Sequence, residues 1–391
     1  MSTAALICPD GLSVSLFCKG IIRELRSAGW NRVLVLTEVG SYREDIESLG
    51  AECVDVPVAR FIDIVGDIRY TLTLARILRS EHVEGVLAFS TKPNVFGAFA
   101  AKLAGSHHIV THVVGMGSVF VPQMSLPAKV MRGVMRALYR MSSRIADHVW
   151  FTNPGDRDFF VLSGIVEEEK AILSRNYLDT QYYMAGSESL ESVQELRREL
   201  GIAADATVVV MVARLIWPKG IGEFAGAAEI LREKCPRCFF ILVAPEEPPS
   251  PHTVPVATVR SYEKLGNFKW LGFRKDVRRL YALCDVAVLP TYYKEGGYPR
   301  ALLEPMSMGK PLVASTSEDC RATVDEGLNG FLVPPRDAEA LASAILKLAE
   351  NPELRQQYGA HSRQKAVGEF DEKVILRKMI SQAGLVPDSI A

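Results

Sequence analysis

The sequence has no excess of either charge: 45 lysines and arginines stand against 46 aspartates and glutamates, a net charge of −1. No whole-molecule field is available to hold a polyanion, so nucleic acid is not an expected partner and any anionic ligand must be met locally. Cysteine is sparse and odd in number, seven in 391 residues. That excludes a disulfide framework and reads as reduced thiols in a cytoplasmic protein. Cys235 and Cys238 form a lone CxxC with no second pair and no histidines beside it, so no metal or redox role is expected there. No uninterrupted apolar run approaches a membrane span. The N-terminus enters an apolar strand, Ala4-Ala5-Leu6-Ile7, without the basic start and long apolar core of a signal peptide.

What the chain does have is material for packed cores, with 48% hydrophobic and 23% charged residues. Its length exceeds the size at which one core stops growing, which makes two domains the default. In the first half, short apolar runs (Leu6-Ile7, Val33 to Leu36, Val86 to Phe89, Ile109-Val110, Val149 to Phe151) alternate with longer amphipathic stretches. Continuous β-rich runs between helical patterns signal a parallel sheet covered on both faces. The pattern breaks at Ser174 to Asp179 and restarts with Val208 to Val212, Phe239 to Val243 and Val286 to Leu289. The expected organisation is two doubly wound α/β domains, 1–173 and 174–370, with a last helix in 371–391 returning to the first. Such domains bind ligands at the carboxyl ends of their strands, where helix N-termini attract anions, and a cleft between the two is the expected site.

Two segments carry the chemistry. In Val212-Ala213-Arg214-Leu215-Ile216-Trp217-Pro218-Lys219-Gly220 a strand end is followed by two cations and a helix-opening glycine. A guanidinium and an ammonium at one sheet edge suit a diphosphate; the alternative is a pair of solvated surface cations. In Lys294-Glu295-Gly296-Gly297-Tyr298-Pro299-Arg300-Ala301-Leu302-Leu303-Glu304-Pro305, two glycines leave backbone N–H groups open and Pro299 is placed to start a helix whose dipole favours phosphate. Glu304 falls in that helix, where its carboxylate can accept from two neighbouring hydroxyls such as a ribose offers; alone, it reads as an ordinary exposed helix glutamate.

The paired acids Glu295 and Glu304 around Gly-Gly-Tyr-Pro-Arg, followed by Met308 to Ser315 and Asn329 to Pro335, resemble the retaining family-four glycosyltransferases of the GT-B fold. Arg214 with Lys219-Gly220, the Asn176 to Asp179 junction and Trp270 to Arg274 before Asp276-Val277 extend the resemblance. It covers essentially all of the second domain, and only the pattern of the first. The style is that of the bacterial branch that builds exopolysaccharide, capsule or O-antigen units on a lipid carrier. The resemblance implies two Rossmann-like domains facing across a cleft and transfer of a hexose or N-acetylhexosamine from a UDP-sugar to a lipid-linked or saccharide acceptor. It implies no metal or other cofactor. Arg214 and Lys219 would hold the donor pyrophosphate with backbone N–H groups near Leu302 and Leu303. Glu304 would bind ribose, Glu295, Gly296, Gly297 and Tyr298 would line the donor sugar, and Gly272 and Phe273 would sit against the base. His112 stands where the family often keeps a sugar-contacting histidine, and Gly11, Ser13, Gly115 and Gly117 are acceptor-side candidates.

The chain also departs from the family. Eight residues separate Glu295 from Glu304 where seven are usual, because the glycine is doubled, so the loop must bulge. Pro305 removes a helical hydrogen bond and predicts a kink. Ala244-Pro245-Glu246 replaces a glycine-containing turn and opens a proline-rich irregular stretch to Pro255, and the region of Gly11 lacks a GxGxxG fingerprint. Asp156-Arg157-Asp158 has the spacing of a metal-holding motif but follows Asn153-Pro154-Gly155, the place for acids in a helix's first turn. Between Glu84 and Asp147 there is no acidic residue, while seven lysines and arginines occur. Five of them, Lys129, Arg132, Arg136, Arg140 and Arg144, recur at helical spacing from near Pro127 and predict one basic stripe. Beside it Val130, Met131, Val134, Met135, Leu138 and Met141 predict an apolar face. Such a helix either packs on its own sheet or lies on an anionic membrane, which would make the enzyme peripheral on the inner face of the cytoplasmic membrane. Two rival readings are a nucleotide-sugar epimerase of the same fold and a non-catalytic nucleotide-sugar sensor.

Overall fold

Short runs of valine, isoleucine and leucine form two all-parallel sheets in the computed structural model, which describes residues 2–59, 63–115 and 126–389. The chain divides into two units, one formed by the residues up to Arg175 together with Glu372 onward, the other by Asn176–Asp371.

The first unit carries β1 (Thr3–Ile7), β2 (Arg32–Leu36), β3 (Glu52–Val54), β4 (Val83–Phe89), β5 (His108–Val113), β6 (His148–Phe151) and β7 (Ala171–Leu173), in the order β3-β2-β1-β4-β5-β6-β7. All five residues of β1 are buried, as a strand covered by helices on both faces requires. Its Ala4 pairs with Val33 on one side and Gly85 on the other. The strand order therefore reverses at β1, and ligand-binding loops gather at such a point. The helical segment after β1 runs Gly11–Ser13, a π-helical turn Val14–Cys18, then Lys19–Ser27.

The final helix, Glu372–Gln382, follows the helix Pro352–Glu369 after a two-residue break. It lies against Lys19–Ser27. Arg23 Nη1 donates to Glu372 at 2.8 Å, Arg377 Nε donates to Glu24 at 3.0 Å, and Trp30 Nε1 donates to the Leu385 carbonyl at 3.2 Å.

The second unit repeats the plan with β8 (Thr207–Val212), β9 (Cys238–Val243), β10 (Phe268–Trp270), β11 (Val286–Leu289), β12 (Leu312–Ser315) and β13 (Gly330–Val333), ordered β10-β9-β8-β11-β12-β13. Here the order reverses between β8 and β11. The two chemistry-bearing segments leave the sheet at the carboxyl ends of these neighbouring strands. The Sγ atoms of Cys235 and Cys238 lie 3.2 Å apart at the start of β9, buried as free thiols. Asp156 sits in the first turn of the helix Pro154–Leu162, where Asn153 Oδ1 accepts its N–H at 2.8 Å.

Candidate functional site

Lys219 closes a tight turn, Trp217–Lys219, after β8, and Gly220 follows with φ +84°. A Cβ at Gly220 would stand 2.4 Å from the Pro290 carbonyl oxygen, so only glycine lets this turn press against the end of β11. The Pro218 carbonyl accepts from Tyr292 N at 2.8 Å and from Thr291 Oγ1 at 3.2 Å, tying the two loops together. These ties deliver Lys219 Nζ to the Glu295 carboxylate as an ion pair whose side chains are only 11% and 8% exposed. The ammonium also stands 5.1 Å from the Tyr293 ring centroid. Glu295 Oε1 is buried with no hydrogen-bond partner, an acceptor left for a ligand hydroxyl.

The extra glycine does not leave this acid loose. Gly296 and Gly297 adopt φ of +76° and +119°, and the N–H groups of Glu295, Gly296 and Gly297 all donate to the Asp319 carboxylate. Sequence reasoning missed Asp319, 24 residues away from Glu295. The available signal was its place just past β12, which pairs with β11.

Arg214 emerges at the same edge and is held in a bidentate pair by Glu247, at 2.9 and 2.8 Å. Each group favours the other's charged form, raising the guanidinium pKa and lowering that of the carboxylate. Glu247 belongs to the proline-rich loop, which is pinned beside Arg214 by the Ile216–Thr253 bridge and a 2.8 Å bond from Trp217 N to the His252 carbonyl. It too went unpredicted.

Glu304 lies in the helix Arg300–Ser307, 3.1 Å from Arg300 Nε. Tyr183 is partly buried beside it, its hydroxyl pKa raised by burial first and by the Glu304 charge second. Two expectations for this segment need correction. The Leu302 and Leu303 N–H groups already donate to the Pro299 carbonyl at 2.9 and 3.0 Å, so the first helical turn closes on itself and withholds them from a phosphate. Tyr298 turns its ring edge-to-face onto buried Phe370, 4.9 Å between centroids, instead of into open space. Gly272 takes φ +62° after β10 and presents Phe273, 68% exposed, as a free aromatic face.

In the first unit, Gly11 and Ser13 line a cavity of about 930 Å3 with Asp10, Glu38, Tyr42, Ser90 and Lys92. Asp10 caps the Ser13 N–H at 2.7 Å, and Ser90 holds a positive φ of +81°, strain of the kind found at ligand sites. His112 is elsewhere: it is buried on β5 between the rings of Phe89 and Trp150, at 5.3 and 5.7 Å. Burial pushes its pKa down to about 3, so the imidazole is neutral. Gly115 is just past β5, and Gly117 lies outside the described residues.

The basic stripe is not what the spacing predicts. On the helix Leu126–Ile145, Arg136 and Arg140 turn inward to the carbonyls of Ser163 and Gly164, at 3.3 and 2.7 Å. Met135 and Leu138 pack on the core, while Val130, Val134 and Met141 are about half exposed alongside exposed Lys129 and Arg144. Two apolar rows about 100° apart on a 3.6-residue helix had merged into one in the linear reading. No described helix is long and apolar enough to cross a membrane.

Two tandem parallel α/β units, the second with paired cations and acids at its strand reversal, define a glycosyltransferase of the GT-B fold. Comparison agrees: residues 14–175 match the family described as glycosyl transferase 4-like domain and residues 206–351 that described as glycosyl transferases group 1. The chain belongs to these glycosyltransferases, enzymes of bacterial glycan biosynthesis. It is 26% identical over 371 residues, 95% of each chain, to the Campylobacter jejuni N,N'-diacetylbacillosaminyl-diphospho-undecaprenol alpha-1,3-N-acetylgalactosaminyltransferase. It is 24% identical over 317 residues, 80% of this chain and 78% of its relative, to the Escherichia coli UDP-Gal:alpha-D-GlcNAc-diphosphoundecaprenol alpha-1,3-galactosyltransferase. Anabaena HepE, solved in complex with UDP, has the same fold, with a TM-score of 0.75 over 98% of this chain and 100% of its own at 22% identity.

Proposed function

We propose that the protein is a retaining glycosyltransferase that moves a hexose or N-acetylhexosamine from a UDP-sugar to a lipid-linked saccharide in bacterial surface polysaccharide assembly. The observation that carries this reading is the buried Lys219–Glu295 pair beside Arg214, at the adjoining carboxyl ends of β8 and β11. Both cations are already oriented by carboxylates. A pyrophosphate arriving there meets two preorganised positive groups at the point where charge develops as it leaves. Glu295 Oε1 is the acceptor for a donor-sugar hydroxyl, and Glu304 the acceptor for ribose. With no enzymatic nucleophile assigned, the acceptor hydroxyl attacks from the face that the diphosphate leaves, and a departing phosphate oxygen takes its proton. The chain's own cations supply the charge stabilisation, and the reading calls for no metal.

Two of its relatives are named for undecaprenyl-diphosphate-linked substrates, which supports the acceptor class. The exposed Val130, Val134 and Met141 beside Lys129 and Arg144 support a peripheral seat on an anionic membrane at its cytoplasmic face. A thermal-shift series with nucleotide diphosphates tests the donor: UDP and its sugars are expected to raise Tm in proportion to the logarithm of concentration above Kd. Stabilisation by another base and none by UDP would replace the donor assignment.

A further inference from the structure

The loop that carries Glu295 is one glycine longer than the pattern it resembles, and its two glycines sit at positive φ, +76° and +119°. Left alone, such a pair is the most mobile backbone available to a chain. Here it is clasped. Asp319 Oδ2 accepts from Glu295 N at 2.8 Å and Gly296 N at 3.2 Å, while Oδ1 accepts from Gly297 N at 2.9 Å. Three successive N–H groups thus form a concave nest filled by one carboxylate, an arrangement that suits an anion.

The clasp is anchored from behind. Asp319 lies in the short helix Glu318–Arg321 after β12, and β12 pairs with β11. Ser315 Oγ donates to the Thr291 carbonyl, joining the two strand ends beneath the loop, and Thr323 Oγ1 donates to the Asp319 carbonyl at 3.3 Å. The far end of the loop is fixed where Asn176 Nδ2 donates to the Tyr298 carbonyl at 2.7 Å. Held at both ends, the loop presents the Glu295 carboxylate to Lys219, with Oε1 unpartnered.

We infer that Asp319 is a positioning residue for glycosyl transfer, absorbing the additional glycine so that Glu295 meets the donor sugar in a fixed place. The inference rests on the reading of Glu295 and Lys219 as the donor site. Asp319 acts on the sugar end of the donor and leaves the nucleotide end alone. Its removal should therefore erase the preference for UDP-sugar over UDP without weakening UDP itself.

The test compares wild type, Asp319→Ala, Asp319→Asn, deletion of Gly297, and that deletion combined with Asp319→Ala, with Glu318→Gln as a surface control. For each, kcat and KM for the donor are measured, with calorimetric affinities for UDP and UDP-sugar and a thermal midpoint. Asp319→Ala should lower kcat by about 10- to 100-fold, the scale of an ångström-size misplacement, with UDP affinity held within about twofold. Asp319→Asn, with one acceptor oxygen in place of two, should fall between. The combined variant should recover activity relative to either change alone, because the shortened loop no longer needs the clasp. Retained kcat and sugar preference in Asp319→Ala, or no recovery in the combined variant, would overturn the inference. If Asp319→Ala does not fold, Asp319→Asn at a wild-type midpoint decides alone. A wild-type protein that turns over no nucleotide sugar removes the site reading, and the positioning role with it.

Discussion

Lys219 and Arg214 are both salt-bridged, yet their surroundings separate what their loss should do. The Lys219–Glu295 pair is nearly enclosed, whereas the Arg214 side chain is 54% exposed. Removing one partner of a buried pair strands the other charge and costs about 3–5 kcal/mol, while an exposed pair contributes about 1 kcal/mol or less. Lys219→Ala should therefore lower both donor kcat/KM, by about one to two decades, and the urea midpoint. Arg214→Ala should lower kcat/KM comparably and leave the midpoint nearly unmoved. Equal midpoints with unchanged kinetics in both variants would remove the pyrophosphate assignment. The two cations were legible in sequence because they follow an apolar strand at short range, and the acids Glu295 and Glu304 through the family resemblance of the segment that carries them. Asp319 and Glu247 were not, since each meets its partner only after the sheet has brought together segments 24 and 33 residues apart.

Among the elements, the helix Arg300–Ser307 shows how a local rule is met by a distant residue. Pro305 has no N–H to give the Ala301 carbonyl, and the buried Tyr281 hydroxyl donates to that oxygen at 3.4 Å. The proline's missing donor was readable from the sequence; its replacement was not, because Tyr281 comes from the helix Val277–Leu283. Tyr281→Phe should destabilise the second unit by about 1–3 kcal/mol, the cost of an unsatisfied buried carbonyl. In a Pro305→Ala background the restored amide at position 305 takes over, and the same change should cost measurably less by urea denaturation. Equal costs in both backgrounds would show that the hydroxyl does not serve this carbonyl.

The helix Leu126–Ile145 misled in a different way: Arg136 and Arg140 make inner contacts with Ser163 and Gly164, and Val130, Val134 and Met141 are exposed. Sedimentation with anionic liposomes should occur at low salt and weaken at high salt, and Val134→Asp with Met141→Asp should abolish it. Wild-type protein that stays in the supernatant at low salt would favour a soluble acceptor.

For the molecule as a whole, the alternation of apolar runs and amphipathic stretches sufficed for two doubly wound units, because a parallel sheet buried on both faces needs such runs in every strand. The chain passes from the first unit to the second after Arg175 and back again after Asp371, and periodicity alone encodes neither point. The central claim is that the groups gathered at β8 and β11 drive transfer of a sugar from a nucleotide diphosphate. The most direct measurement incubates the purified protein with UDP-sugars and a polyprenyl-diphosphate-linked saccharide, following released UDP and the glycosylated lipid together. The account predicts that the two appear in equal amounts, with the donor's anomeric configuration kept, and that Lys219→Ala loses both. Donor that binds but releases no UDP with any acceptor, or that yields sugar isomers with no acceptor present, would contradict it.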